Sequence, residues 1–135
     1  MRGVLFLTDG AVKLKSKEFA LRIIKLYKYL CNDQKEFVMS KQIIKCGTSI
    51  GANVCEADHS MSKREFIAKM NISLKEAAES EYWLELLYES EYITRGMYRS
   101  LLSDCGEIKG LLICIIRTAN KNISNSNSNC NCNKL

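Results

Sequence analysis

The sequence predicts an all-α fold, an antiparallel up-down-up-down four-helix bundle, and three observations carry that expectation. The 135 residues contain no proline and only 7 glycines, which disfavours turn-rich β architectures and leaves long helices uninterrupted. Four segments repeat apolar residues at steps of three and four, the spacing of one helix face. Short polar connections separate these segments, so neighbours in sequence become neighbours in space. A chain of this length makes one domain. We divide it into an irregular lead-in over 1–15, a bundle over 16–119 and a low-complexity tail over 120–135.

The lead-in carries a turn signal at Asp9-Gly10, and its short apolar run Val4–Leu7 suits a brief strand or a packing segment. Ser16 stands at the N-cap of the first helix. Phe19, Ile23, Leu26 and Leu30 form one face of it, with Lys17, Arg22, Lys25 and Lys28 on the other half. The polar stretch Asn32-Asp33-Gln34 ends it.

The second helix is expected over 37–57, with Met39, Ile43, Gly47, Ile50, Val54 and Ala57 as its stripe. Gly47 and Gly51 lie one turn apart, each costing about 1 kcal/mol of helix propensity against alanine. Such a pair implies a tertiary reason: a neighbouring helix approaches closely. Beside it runs a polar stripe of Gln42, Lys45, Ser49, Asn53 and Glu56. Either solvent covers this stripe, or a neighbouring helix or subunit shares it as a polar network. Its place beside the glycines points to a structural, hydrogen-bonded contact with the third helix, through Glu76 or Ser80.

The third helix opens on Ser62-Lys63-Arg64-Glu65, a capping box, with Met61 and Phe66 at the staple positions. It spans about 30 residues, roughly 45 Å at the helical rise, against about 16 residues for the first helix. Ile67, Met70, Leu74, Ala77, Leu84 and Tyr88 make its stripe. Trp83, Leu86 and Leu87 widen the apolar surface near its end, and a shorter first helix would leave part of this longer helix uncovered, which marks them as candidate interface residues between copies. The fourth helix has the most regular heptad: Tyr98, Leu101, Cys105, Ile108, Leu112, Ile115 and Ala119. From Asn120 onward seven Asn and three Ser leave nothing to bury, so the tail is expected to be disordered and dispensable.

Composition excludes several classes. The longest apolar run, residues 111–116, is far short of the ~18–20 residues of a membrane span. The N-terminal apolar segment is too short for a secretory signal, so a cytoplasmic protein is expected. Seven cysteines, an odd number with no CxxC, read as reduced thiols serving as small core residues. The single histidine, His59, falls in a connection, and no nucleophile elbow, metalloprotease helix, phosphate loop or dinucleotide fingerprint occurs. Neither an enzyme activity nor a metal or other cofactor is expected.

Charge is informative in its placement. The net charge is +5. Residues 13–28 hold Lys13, Lys15, Lys17, Arg22, Lys25 and Lys28 against Glu18 alone, whereas residues 76–93 hold Glu76, Glu79, Glu81, Glu85, Glu89 and Glu91 and no base. A solvated lysine face, head-to-tail docking of identical subunits, or a phosphate-binding face would each produce this separation.

The middle of the chain resembles a known family. Lys41-Gln42-Ile43-Ile44-Lys45-Cys46-Gly47-Thr48-Ser49-Ile50-Gly51-Ala52-Asn53-Val54-Cys55-Glu56-Ala57 is similar to the signature of the 23S rRNA intervening-sequence proteins. So are Ser62–Ile67 and Leu74–Leu84. The resemblance implies a four-helix bundle forming ring-shaped homopentamers, often encoded within ribosomal RNA genes. It extends to the accessory proteins of diversity-generating retroelements, which bind nucleic acid and a reverse transcriptase. Lys45-Cys46 stands where the family often carries Arg-Ser, so a point charge replaces a bidentate fork. The expected function is a non-enzymatic, self-assembling accessory protein associated with RNA or another nucleic acid. Candidate contacts are Lys17, Arg22, Lys25, Lys28, Lys41 and Lys45. The alternative is a protein–protein scaffold with no direct nucleic-acid binding.

Overall fold

The computed structural model describes the backbone of residues 2–132 and the side chains of residues 10–125. Four helices account for nearly all of it: α1 (Arg2–Asn32), α2 (Met39–Ala57), α3 (Lys63–Glu89) and α4 (Arg95–Cys132). Among the described residues there is no strand, and each helix touches its two neighbours but not the diagonal one.

The first helix is the largest departure from the sequence reading. It starts at Arg2, so the lead-in is helical and Ser16 is an interior residue instead of a cap. Proline-free sequence offers no stop before residue 16, and the apolar stripe simply extends backwards. Val12 and Ser16 are buried in line with Phe19, Ile23, Leu26 and Leu30. Ser16 Oγ donates to the Lys13 carbonyl at 3.2 Å, which satisfies the buried hydroxyl within its own helix. At 31 residues, α1 is longer than the 27 of α3, so the length mismatch expected from the sequence does not exist.

The glycines of α2 have the tertiary reason that their cost implied. A Cβ at Gly47 would stand 2.9 Å from the Ile23 side chain, and one at Gly51 would stand 3.2 Å from Ser16 Oγ. On its other side, α2 meets α3 through small polar groups. Ser73 Oγ donates to the Ile50 carbonyl at 2.8 Å, and Ser80 Oγ lies 3.3 Å from Cys46 Sγ. Small residues on both faces let three backbones approach, and the core of Phe19, Ile23, Ile43, Ile50, Met70, Leu84, Ile108, Leu112 and Ile115 fills the centre.

Capping is specific. Ser62 Oγ accepts the Glu65 amide at 3.1 Å, and the Glu65 carboxylate accepts the Met61 amide at 2.8 Å. Met61 itself is 93% exposed, so the apolar staple is not made. At the start of α2, the nearly buried Glu36 carboxylate accepts the amides of Val38, Met39 and Ser40 at 2.9, 2.8 and 2.7 Å. Three otherwise orphaned donors of the helix start are thus satisfied by one anion.

α4 does not stop at the compositional break at residue 120 but continues through Cys132. Among the described side chains Ala119 is the last buried one, and none of residues 120–125 is buried. Residues 133–135, the end of the tail, lie outside the described residues.

Candidate nucleic-acid interface

The basic residues divide by partner. Lys13 pairs with Asp58 at the end of α2, Lys15 with Glu107 at 2.8 Å, and Arg22 with Asp104 at 2.5 Å. Arg22 also donates to Ser100 Oγ at 2.9 Å. These groups fasten α1 to α2 and α4, and the Glu107 carboxylate raises the Lys15 pKa by hydrogen bonding and by its charge. Arg22 is therefore committed inside the molecule. Lys17, Lys25, Lys28, Lys41 and Lys45 are all exposed, and none of them takes part in an ion pair among the described residues. All five lie on the outer faces of α1 and α2, the helices joined by the 33–38 connection. Lys45 is also near enough to Glu76 to lower its pKa, against burial and Glu79, which together hold it above the ordinary value.

The polar stripe of α2 is bonded chiefly to its own helix. Ser49 Oγ donates to the Lys45 carbonyl at 2.6 Å, and Asn53 Nδ2 donates to the Ser49 carbonyl at 2.8 Å. Gln42 is exposed. Glu56 alone reaches α3, accepting from Lys69 Nζ at 2.8 Å. Neither Glu76 nor Ser80 bonds to this stripe; Ser80 instead faces Cys46 and its own Glu76 carbonyl. The α2–α3 contact runs through Cys46, Ile50, Ser73 and Ser80, and of these serines Ser73 is not among the residues the sequence singles out. A small polar residue in phase with an apolar stripe, as Ser73 is between Met70 and Ala77, is the signal that could have found it.

The three interface candidates also separate. Leu87 is fully buried in the core. Trp83 is half-buried against the core, its indole donating to Glu79 at 3.2 Å, and Leu86 is partly exposed.

Cys46 and Cys105 lie in the core. Burial pushes the Cys46 thiol up to about 11 and the Cys105 thiol to about 12, so both stay protonated at neutral pH. No group of three His, Cys, Asp or Glu residues able to hold a metal ion occurs among the described residues. No helix there is long and apolar enough to cross a membrane.

This arrangement recurs in known proteins. The chain superposes with a TM-score of 0.81 on a protein of unknown function from the S23 ribosomal protein family of Bacteroides thetaiotaomicron VPI-5482, at 61% identity. The match covers 82% of this chain and 98% of that one. No curated protein matches the chain. The family model described as 23S rRNA-intervening sequence protein matches residues 8–114, a span running from the N-terminal half of α1 to the buried heptads of α4. The chain therefore belongs to the 23S rRNA-intervening sequence protein family.

Proposed function

We propose that this chain is a non-catalytic, self-assembling bundle that associates with RNA or another nucleic acid as an accessory protein. The observation that carries the reading is the set of five exposed lysines on α1 and α2 that lie outside every ion pair among the described residues. Lysines held in place by a rigid helix and outside any ion pair among the described residues suit phosphate oxygens, and repetition around an oligomer sums their potential. The helices would run up-down-up-down. That is supported by the short connections, by contacts between neighbours alone, and by Ser16 facing Gly51 while Ile23 faces Gly47. The assembly would be a ring of five copies in the cytoplasm, the arrangement the family resemblance implies. In a retroelement setting a reverse transcriptase would be a further partner.

The protein–protein scaffold stays as the second reading because large apolar side chains, among them Leu14, Leu21 and Tyr82, are also exposed. Retention of a labelled RNA on a filter at low salt separates the two. The accessory-protein reading expects retention by the wild type and its loss in Lys25→Glu/Lys41→Glu/Lys45→Glu. Equal retention by both proteins, or none by the wild type, would favour the scaffold.

A further inference from the structure

The outer side of α1 is chemically unusual. Leu14 and Leu21 are each 58% exposed and Ile24 is 37% exposed. With Lys17 and Lys28 they step at three and four residues, so they line one stripe pointing away from the core that Val12, Phe19, Ile23 and Leu26 fill. A helix with apolar stripes on opposite sides needs cover on both, and this molecule covers one.

α3 carries the complement. Ile72, Lys75, Glu79, Tyr82, Leu86 and Glu89 repeat at the same helical steps on its outer side, with Tyr82 at 54% exposure and Ile72, Lys75, Glu79 and Glu89 exposed. Tyr82 packs edge-on against Trp83, ring centres 5.3 Å apart, and Trp83 is tied to Glu79. The aromatic pair is thus presented in a fixed orientation. One stripe is apolar with lysines, and the C-terminal half of the other, from Glu79 to Glu89, is apolar with glutamates.

We propose that a second copy of this chain docks its α3 stripe on the α1 stripe of the first. This inference rests on the self-assembly reading above and deepens it by naming the two faces. Charge selects the pairing: α1 against α1 would oppose Lys17 and Lys28 with themselves, and the Glu79–Glu89 half of α3 against itself would oppose glutamates, each a like-charge cost. Geometry agrees, because α1 and α3 each contact α2 and α4 and not one another. Their outer faces therefore point away from opposite sides of the bundle, and one copy can engage two neighbours at once. Such a heterologous contact closes into a ring when the rotation allows. Lys17 and Lys28 then face the neighbour's glutamates, while Lys25, Lys41 and Lys45 stay outside the stripe for phosphates.

A mixing experiment tests the pairing. Leu21→Glu disables the α1 face and Tyr82→Lys the α3 face; both positions are exposed, so the fold should survive, and Leu14→Glu serves as a second α1-side variant. Mass by light scattering is expected to give an oligomer for the wild type and a monomer of 15.4 kDa for each variant alone. An equimolar mixture should give a dimer and nothing larger, because each variant retains the face the other lacks. Variants that assemble as the wild type does, or a mixture that stays monomeric, overturn the pairing while leaving self-assembly intact. A monomeric wild type overturns self-assembly and the pairing together.

Discussion

At the scale of the residue, glycine has opposite meanings in different helices. A Cβ at Gly47 would stand 2.9 Å from the Ile23 side chain, so Gly47→Ala forces a displacement in a packed core. We expect it to lower stability by about 1–3 kcal/mol in denaturant titration. Gly106 and Gly110 of α4 face open space. Alanine at either should raise stability by about 0.5–1 kcal/mol through helix propensity alone. Equal effects at all three sites would show that space at Gly47 is not what fixes it. Glu36 is the second residue-scale prediction. Burial disfavours its charge, yet the amides of Met39, Ser40 and Val38 and the Ser40 hydroxyl outweigh burial and hold its carboxyl below the ordinary value. Its contribution is therefore complete above the usual glutamate range and is lost as pH falls through the lowered folded value. Glu36→Gln should cost about 1–3 kcal/mol at pH 7, and the two proteins should converge in stability at acid pH. A gap that persists in acid would assign the effect to packing. The glycine pair was legible in the sequence because it breaks a propensity rule in mid-helix. The Glu36 cap was not, because an acid ahead of an apolar run has no register until the connection is folded.

At the scale of the element, periodicity located the stripes well and the ends poorly. Every position from Leu101 to Ala119 that the fourth heptad named is buried. Four of the five residues named after Met39 on the second stripe are buried hydrophobics, and the fifth, Gly47, is buried as well. The start of α1 was misplaced by half the helix, because Asp9-Gly10 reads locally as a turn and Ser16 as a cap. Both are overridden by packing: Val12 and Ser16 continue the buried stripe, so tertiary burial outweighs a local cap worth about 1 kcal/mol. α4 likewise runs past the compositional break at residue 120. Deleting residues 120–135 should leave the thermal midpoint and the oligomer mass unchanged, since none of residues 120–125 is buried. A drop in either would give the tail a packing or assembly role. Surface ion pairs stitch each neighbouring pair of helices, Glu56–Lys69 and Glu81–Lys109 among them. They contribute little individually, about 0–1 kcal/mol each, so they set register more than stability.

At the scale of the whole molecule, the separation of charge along the chain became a separation in space. The lysine-rich segment turned out to be a helix with one part of its charge spent on Asp58, Asp104 and Glu107 and another part turned outward. Sequence alone could not make that division, because pairing depends on which helices are neighbours. The family was legible from the α2 signature, and the matched span of 8–114 begins ahead of the predicted bundle start. Of the expected interface at Trp83, Leu86 and Leu87, Leu87 lies in the core, and the exposed apolar side chains include Leu14, Leu21 and Tyr82.

The central claim is that outward lysines bind a phosphate backbone, and salt dependence measures it most directly. Fluorescence anisotropy of a labelled single-stranded RNA should be recorded across an ionic-strength series for the wild type and for Lys25→Glu/Lys41→Glu/Lys45→Glu. The account predicts that the wild-type affinity falls steeply with salt. It also predicts that the logarithmic slope shrinks by about 2 in the variant, at roughly 0.7 for each single-strand phosphate that a lysine no longer neutralises. A wild-type affinity that ignores salt, or an identical slope in the variant, would contradict it.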